Sequence, residues 1–67
     1  MKYIELKQII RTGYGNEYKP LMVNVDCIAG VTEDREGYGE VRLTDGHVYV
    51  TREDALDIQH KIEVVQK

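Results

Sequence analysis

The strongest structural signal in the sequence is an Asp-Gly pair between two runs in which polar and apolar residues alternate. Residues 41–44 precede Asp45-Gly46, and residues 47–50 follow it. This arrangement predicts a β-hairpin closed by a two-residue type I′ turn, because that turn needs positive φ at both central positions. A two-residue turn also predicts the register, with Val41 opposite Val50.

The predicted register divides the side chains of this hairpin between two faces. One face carries the four aliphatic residues Val41, Leu43, Val48 and Val50. The other face carries Arg42, Thr44, His47 and Tyr49. This second face is amphipathic rather than highly charged, which is typical of a surface that docks a partner.

Two further strands and a short turn are predicted before the hairpin. Residues 2–11 alternate and predict a first strand, and the glycines of residues 12–17 predict a loop. Because Pro20 has no N–H to donate, the second strand is predicted at residues 21–25. Asp26 is expected to cap one helical turn, and residues 31–33 return to an extended strand.

A helix is predicted after the hairpin. Residues 51–54 approximate a capping box that begins at Thr51. An apolar stripe with helical spacing follows at Ala55, Ile58, Ile62 and Val65. The predicted fold is α+β, a small antiparallel β-sheet meander of about five short strands packed by one C-terminal helix. No change in composition marks a boundary, so residues 1–67 are predicted to be a single domain.

The size of the chain and its single cysteine predict self-association. Cys27 is the only cysteine among 67 residues, so no internal disulfide is possible. A domain this small buries a modest core, and we expect a homo-oligomer, with a dimer favoured. A lone thiol without a signal-like leader predicts a cytoplasmic protein, and no apolar run is long enough for membrane insertion.

The charge of the chain makes nucleic acid an unlikely partner. Nine Lys and Arg stand against 12 Asp and Glu, which gives a net charge of −3. Phosphate binding needs a concentrated basic patch, and the sequence has no basic cluster. Acidic residues concentrate at residues 33–40, which predicts either a solvated loop or an acidic docking surface.

The residues available for catalysis are few. His47 and His60 are the only histidines, and they have no metal-ligand spacing to each other or to Cys27. The chain has no serine, which excludes serine-based triads. We therefore expect no enzymatic activity, no catalytic residues, no cofactor and no metal.

Tyrosines in glycine-containing loops are the best candidates for partner contacts. Tyr14 and Tyr38 each lie between two glycines, and the chain has neither Phe nor Trp. Such rings either contact a protein partner or fold back over the ends of the core, and the sequence leaves both interpretations open. The predicted protein-binding residues are Tyr14, Tyr18, Tyr38, Arg42 and Tyr49.

Several of these segments together resemble a known family. Residues 23–28 contain an N-x-D-x-I motif, residues 41–46 end in T-D-G, and Glu53 lies near the start of the predicted helix. Over about residues 23–63 the chain resembles the small FlbD-like family of flagellar-operon proteins. The resemblance implies a short cytoplasmic protein with a strand, a hairpin closed by Asn-Gly or Asp-Gly, and a terminal helix.

These observations predict a non-enzymatic protein-protein interaction or adaptor protein that acts as a homo-oligomer. It is expected to bind an unidentified protein partner through its open sheet face and its tyrosine-bearing loops. One alternative is a small nucleic-acid-associated regulator, whose binding would fall steeply with added salt. The other is an inhibitor of a host enzyme encoded by a phage or another mobile element.

Overall fold

The computed structural model, which describes residues 2–66, confirms the α+β class with one five-stranded antiparallel sheet and one C-terminal helix. The elements are β1 (Tyr3–Thr12), β2 (Gly15–Asn24), β3 (Ile28–Glu33), β4 (Gly39–Leu43), β5 (Val48–Thr51) and α1 (Ala55–Gln66). The spatial order is β2-β1-β5-β4-β3. The β1–β2 hairpin therefore joins the β3–β4–β5 meander through contacts between β1 and β5.

The first hairpin is longer than predicted. All ten residues of β1 pair with β2, and only Gly13 and Tyr14 form the connection, so the predicted loop at residues 12–17 and the strand start at residue 21 are wrong. Pro20 lies within β2, opposite Lys7. The C=O of Lys7 accepts from the N–H of Arg52 at 2.8 Å, on the β5 side. The nitrogen of Pro20 consequently faces the free edge of the sheet, where a strand tolerates proline.

The turn of the second hairpin has three residues rather than two. The N–H of Gly46 donates to the C=O of Leu43 at 3.0 Å, and the N–H of Leu43 donates to the C=O of His47 at 2.9 Å. Gly46 has a φ of +95°, whereas no non-glycine residue in the described part of the chain has positive φ. Asp45 therefore cannot take the type I′ conformation, and a turn ending in a left-handed glycine forms instead.

This longer turn shifts the register of β4 and β5 by one residue. Val41 lies opposite Tyr49, and Arg42 lies opposite Val48. A shift of one residue moves every side chain of a strand to the other face. Tyr49 thus shares the face of Val41, and the predicted grouping of Tyr49 with Arg42 is wrong. Val48 and Val50 take the place of Tyr49 beside Arg42.

The core lies between one face of the sheet and α1. Its buried side chains are Ile4, Leu6, Val23, Val25, Val41 and Ile58. We call this side of the sheet the core face. Gly39 of β4 lies directly under α1, since its N–H donates to the C=O of Glu53 at 2.8 Å and Ile58 packs against it.

Two helix caps are formed by residues other than those predicted. Thr51 does not begin the helix; it is fully buried at the end of β5, and its hydroxyl lies within hydrogen-bond distance of the C=O groups of Gly39 and Glu53. Asp54 caps α1, because its Oδ1 accepts from the N–H of Asp57 at 2.8 Å. Similarly, Asn24 rather than Asp26 caps the 3₁₀ turn Val25–Cys27.

Candidate functional site

The sheet face opposite the core face is the candidate functional site, and we call it the outer face. Gln8 lies opposite the buried Thr51, so their neighbours along β1 and β5 point to the other side. With the register of the remaining strands, the outer face carries Tyr3, Glu5, Lys7, Ile9, Arg11, Asn16, Tyr18, Pro20, Met22, Asn24, Gly30, Thr32, Glu40, Arg42, Val48, Val50 and Arg52.

Tyr18 and Arg52 form the best-defined contact on the outer face. The guanidinium carbon of Arg52 lies 5.4 Å from the centroid of the Tyr18 ring, which is a cation–π arrangement. The backbone N–H of Arg52 is held by the C=O of Lys7. Tyr18 keeps 47% of its surface exposed, so it remains available for contact with a partner.

Basic side chains concentrate on the outer face although the chain as a whole is acidic. Four of the nine Lys and Arg residues lie there, against two of the 12 acidic residues, Glu5 and Glu40. Arg11 is paired, with its Nη2 atom 3.2 Å from Glu36 and 3.8 Å from Asp34. Within residues 2–66, the other three basic residues form no ion pair. These three are Lys7, Arg42 and Arg52.

Tyr14 lies at the tip of the first hairpin, far from the core. Every residue from 11 to 20 is exposed, and we call this segment the hairpin arm. Thr12 holds the tip, because its Oγ1 accepts from the N–H of Tyr14 at 3.2 Å and lies 2.8 Å from the C=O of Gly15. Tyr14 is fully exposed. The sequence left open whether Tyr14 contacts a partner or folds back over the end of the core, and the second interpretation is therefore wrong.

Tyr38 and the acidic residues near it form a compact turn between β3 and β4. The Oδ1 atom of Asp34 accepts from the N–H groups of Glu36 and Tyr38, each at 2.9 Å. Glu33 accepts from the N–H of Ala55 at the start of α1. The side chain of Tyr38 is half-buried. Asp34 and Glu33 thus have structural contacts within the fold.

Tyr49 lies on the core face and lines an open cleft of about 290 Å³, together with Tyr3, Leu21 and Leu43. Its ring stacks on His47 with centroids 6.2 Å apart. The Nδ1 atom of His47 is 2.9 Å from Asp45. The pKa of Asp45 is lowered, chiefly because its carboxylate accepts a hydrogen bond from the backbone N–H of His47. The Asp45 side chain is exposed, and its hydrogen bond from the N–H of His47 supports the turn.

The five predicted binding residues therefore do not form one surface. Tyr18 and Arg42 share the outer face, and Tyr14 extends from the hairpin arm next to it. Tyr38 lies in the turn between β3 and β4, and Tyr49 lies on the core face. The sequence reasoning missed Lys7 and Arg52, because they lie far apart in the chain and meet only where β1 pairs with β5. The alternation of Lys7, Ile9 and Arg11 was the one local signal that indicated a basic strand face.

The described residues 2–66 contain no group of three or more His, Cys, Asp or Glu residues arranged to hold a metal ion. They also contain no helix with the length and apolar character needed to span a bilayer.

No protein-family model matches the chain, and no curated protein or solved structure matches it. The resemblance to the FlbD-like family remains an expectation based on the motifs in residues 23–63.

Proposed function

We propose that the protein is a non-enzymatic interaction or adaptor protein that binds a protein partner through its outer face and through Tyr14 at the tip of its hairpin arm. The observation that carries this proposal is the composition of the outer face. Tyr18 and Val48 are about half exposed there, at 47% and 52%, beside Arg42 and Arg52. Aromatic, arginine and apolar side chains in one place are typical of protein interfaces.

The hairpin arm supports the same proposal. Residues 11–20 project as a two-stranded ribbon whose side chains are all exposed, and the whole molecule measures 39 × 21 × 19 Å. A rigid tyrosine at the tip of such a ribbon offers a large contact area at low entropic cost. Because Tyr14 contributes nothing to the core, its position is best explained by contact with a partner.

Replacing Tyr14 tests this function. We expect Tyr14→Ala to change the free energy of unfolding by no more than about 0.5 kcal/mol, because the side chain is exposed. Binding should weaken by about 2 kcal/mol, or roughly 30-fold, through loss of an aromatic anchor. The measurements are thermal melting and quantitative capture of the partner from cells that encode the protein. Glu17→Ala, an exposed change in the same arm on the side away from the outer face, is the control and should retain capture. Full capture by Tyr14→Ala would contradict a role for the arm.

We also propose that the protein acts as a homo-oligomer, with a dimer favoured. In residues 2–66 only seven hydrophobic side chains are buried, which is a small core for an independent domain. Leu56 and Val64 of α1 are exposed on the opposite side of the molecule from the outer face, and self-association through them would leave that face free. The single cysteine, Cys27, is exposed as a free thiol, which favours a reducing compartment such as the cytoplasm.

Self-association has a simple thermodynamic consequence. If folding and assembly are linked, the melting temperature should rise with protein concentration over about a hundredfold range. The variant Leu56→Ala/Val64→Ala should lose this dependence while it remains folded. A single sedimenting species with monomer mass throughout the range would exclude the homo-oligomer.

A further inference from the structure

We propose that the outer face binds a segment of the partner protein that is both acidic and apolar. This inference rests on the proposed function and specifies the chemistry of the partner. Three basic residues that form no ion pair within residues 2–66, Lys7, Arg42 and Arg52, lie around an apolar stripe, and the acidic side chain beside it is Glu40, opposite Val50. The stripe consists of Val48, which is 52% exposed, and Val50, which is half-buried; Ile9 continues it on β1 but is itself buried.

The geometry of β5 sets the length of the segment. Val48, Val50 and Arg52 stand on one face at alternate positions, so two apolar side chains are followed by a cation. At about 3.3 Å per residue the three span roughly 13 Å. Arg42 lies directly opposite Val48, so the other end of this row also carries a positive charge. Glu40 lies opposite Val50 at the middle of this row, so a complementary segment has apolar side chains rather than carboxylates at its centre, and carboxylates at both ends.

The edges of the sheet are poorer sites than its outer face. Pro20 places a residue without an N–H in the middle of the free edge of β2. At the other edge, β3 has an irregularity between Ile28 and Gly30. Prolines and bulges on edge strands oppose pairing with another strand. The partner segment is therefore held by side chains on the outer face rather than by an added strand.

The same face is poorly suited to nucleic acid. Single strands bind to platforms of several stacking aromatic rings. Tyr3 and Tyr18 are the aromatic residues on the outer face, but Tyr18 lies opposite Ile9, six positions along β1 from Tyr3 or roughly 20 Å, and Arg52 covers one side of its ring. A net charge of −3 repels a long polyanion, whereas a short acidic segment meets only the local cations. Arginine also pairs carboxylates with two parallel hydrogen bonds, which strengthens recognition.

The test uses a display library of random peptides of about a dozen residues, selected on the full chain. We expect enrichment of peptides in which Asp or Glu flanks Leu, Ile, Val or an aromatic residue. One enriched peptide, synthesised and titrated, should bind at least about tenfold more weakly to Arg42→Glu/Arg52→Glu and should lose affinity as salt rises. Replacing the acidic residues of that peptide with lysine should restore binding to this variant.

A matched control separates local charge from net charge. Lys19 is exposed on the hairpin arm and lies opposite Gln8, on the side away from the outer face. Lys19→Glu changes the net charge in the same direction, and it should leave peptide affinity within about twofold. Arg42→Gln/Arg52→Gln provides a milder variant if the double Glu variant fails to fold, and it should also weaken binding.

Three results would overturn the inference. The first is enrichment of peptides without acidic residues. The second is a loss of peptide affinity with Lys19→Glu equal to that with Arg42→Glu/Arg52→Glu. The third is tighter binding of mixed RNA or DNA oligonucleotides than of any enriched peptide. The proposed function is judged separately, by capture of the partner. If Arg42→Gln/Arg52→Gln captures the partner normally and Tyr14→Ala does not, the inference fails and the proposed function stands. If both variants capture it normally, both fail.

Discussion

Gly39→Ala is expected to lower the free energy of unfolding by about 3 kcal/mol, because overpacking at a closed site strains the backbone. A Cβ atom at this position would lie 2.5 Å from Cδ1 of Ile58, 2.6 Å from the carbonyl oxygen of Glu53 and 3.1 Å from the carbonyl carbon of Asp54. Two of these three neighbours are backbone atoms, which cannot rotate away. The hydrogen bond from Gly39 to Glu53 fixes the same approach.

Gly30→Ala is the matched control for this prediction. Gly30 also lies in a strand, but no atom lies within 4 Å of a Cβ built there, and its φ is not in the left-handed region. We expect the free energy of unfolding of Gly30→Ala to differ from that of the parent by less than about 1 kcal/mol, because alanine fits a strand at least as well as glycine. Urea denaturation of both variants measures the difference. Equal stabilities would mean that α1 does not pack on Gly39.

The sequence predicted the class of fold because its periodic patterns are local. Alternation around Asp45-Gly46 indicated a hairpin, and the apolar stripe from Ala55 indicated a helix; both elements are present. The register failed because Gly46 satisfies two turns equally well. Its positive φ fits a type I′ turn and also the last position of a three-residue turn. The wrong register also placed four aliphatic residues on one face, so the hydrophobic pattern gave no reason to reject it.

Tyr49 shows why the hydrophobic pattern misled. The prediction treated it as a polar residue on the outer face, whereas its ring lines the cleft on the core face. Tyrosine has a large apolar ring and a polar tip, so it fits either side of a half-buried strand. Its placement depends on the register, which the turn decides.

The proximity of Lys7 and Arg52 on the outer face was not predictable from local sequence. Lys7 and Arg52 are separated by most of the chain and are joined by a backbone hydrogen bond of 2.8 Å. Pairing of β1 with β5 brings them together, and this contact is known only from the order of the strands. The exposure of Tyr14 follows from its position at the tip of the β1–β2 hairpin and not from its flanking glycines, because Tyr38 also lies between two glycines and is half-buried.

Ile58→Ala is the second substitution with a large expected effect. Ile58 is fully buried between α1 and the sheet, so removing its side chain should lower the free energy of unfolding by about 3 kcal/mol through lost burial and a residual cavity. Leu56→Ala truncates an aliphatic residue of the same helix that is 73% exposed. At low protein concentration this control should change stability by no more than about 0.5 kcal/mol.

Combining Ile58→Ala with Gly39→Ala tests whether the two residues share one contact. Ile58→Ala removes the Cδ1 atom that a Cβ at Gly39 would meet at 2.5 Å, so the double variant should lose less stability than the sum of the two single losses. We expect a coupling of about 1 kcal/mol, since residues in direct contact are not additive. The carbonyl oxygen of Glu53 remains in place at 2.6 Å, so the coupling should stay below the full cost of Gly39→Ala. Strict additivity in urea denaturation would mean that the clash at Gly39 is with the backbone alone.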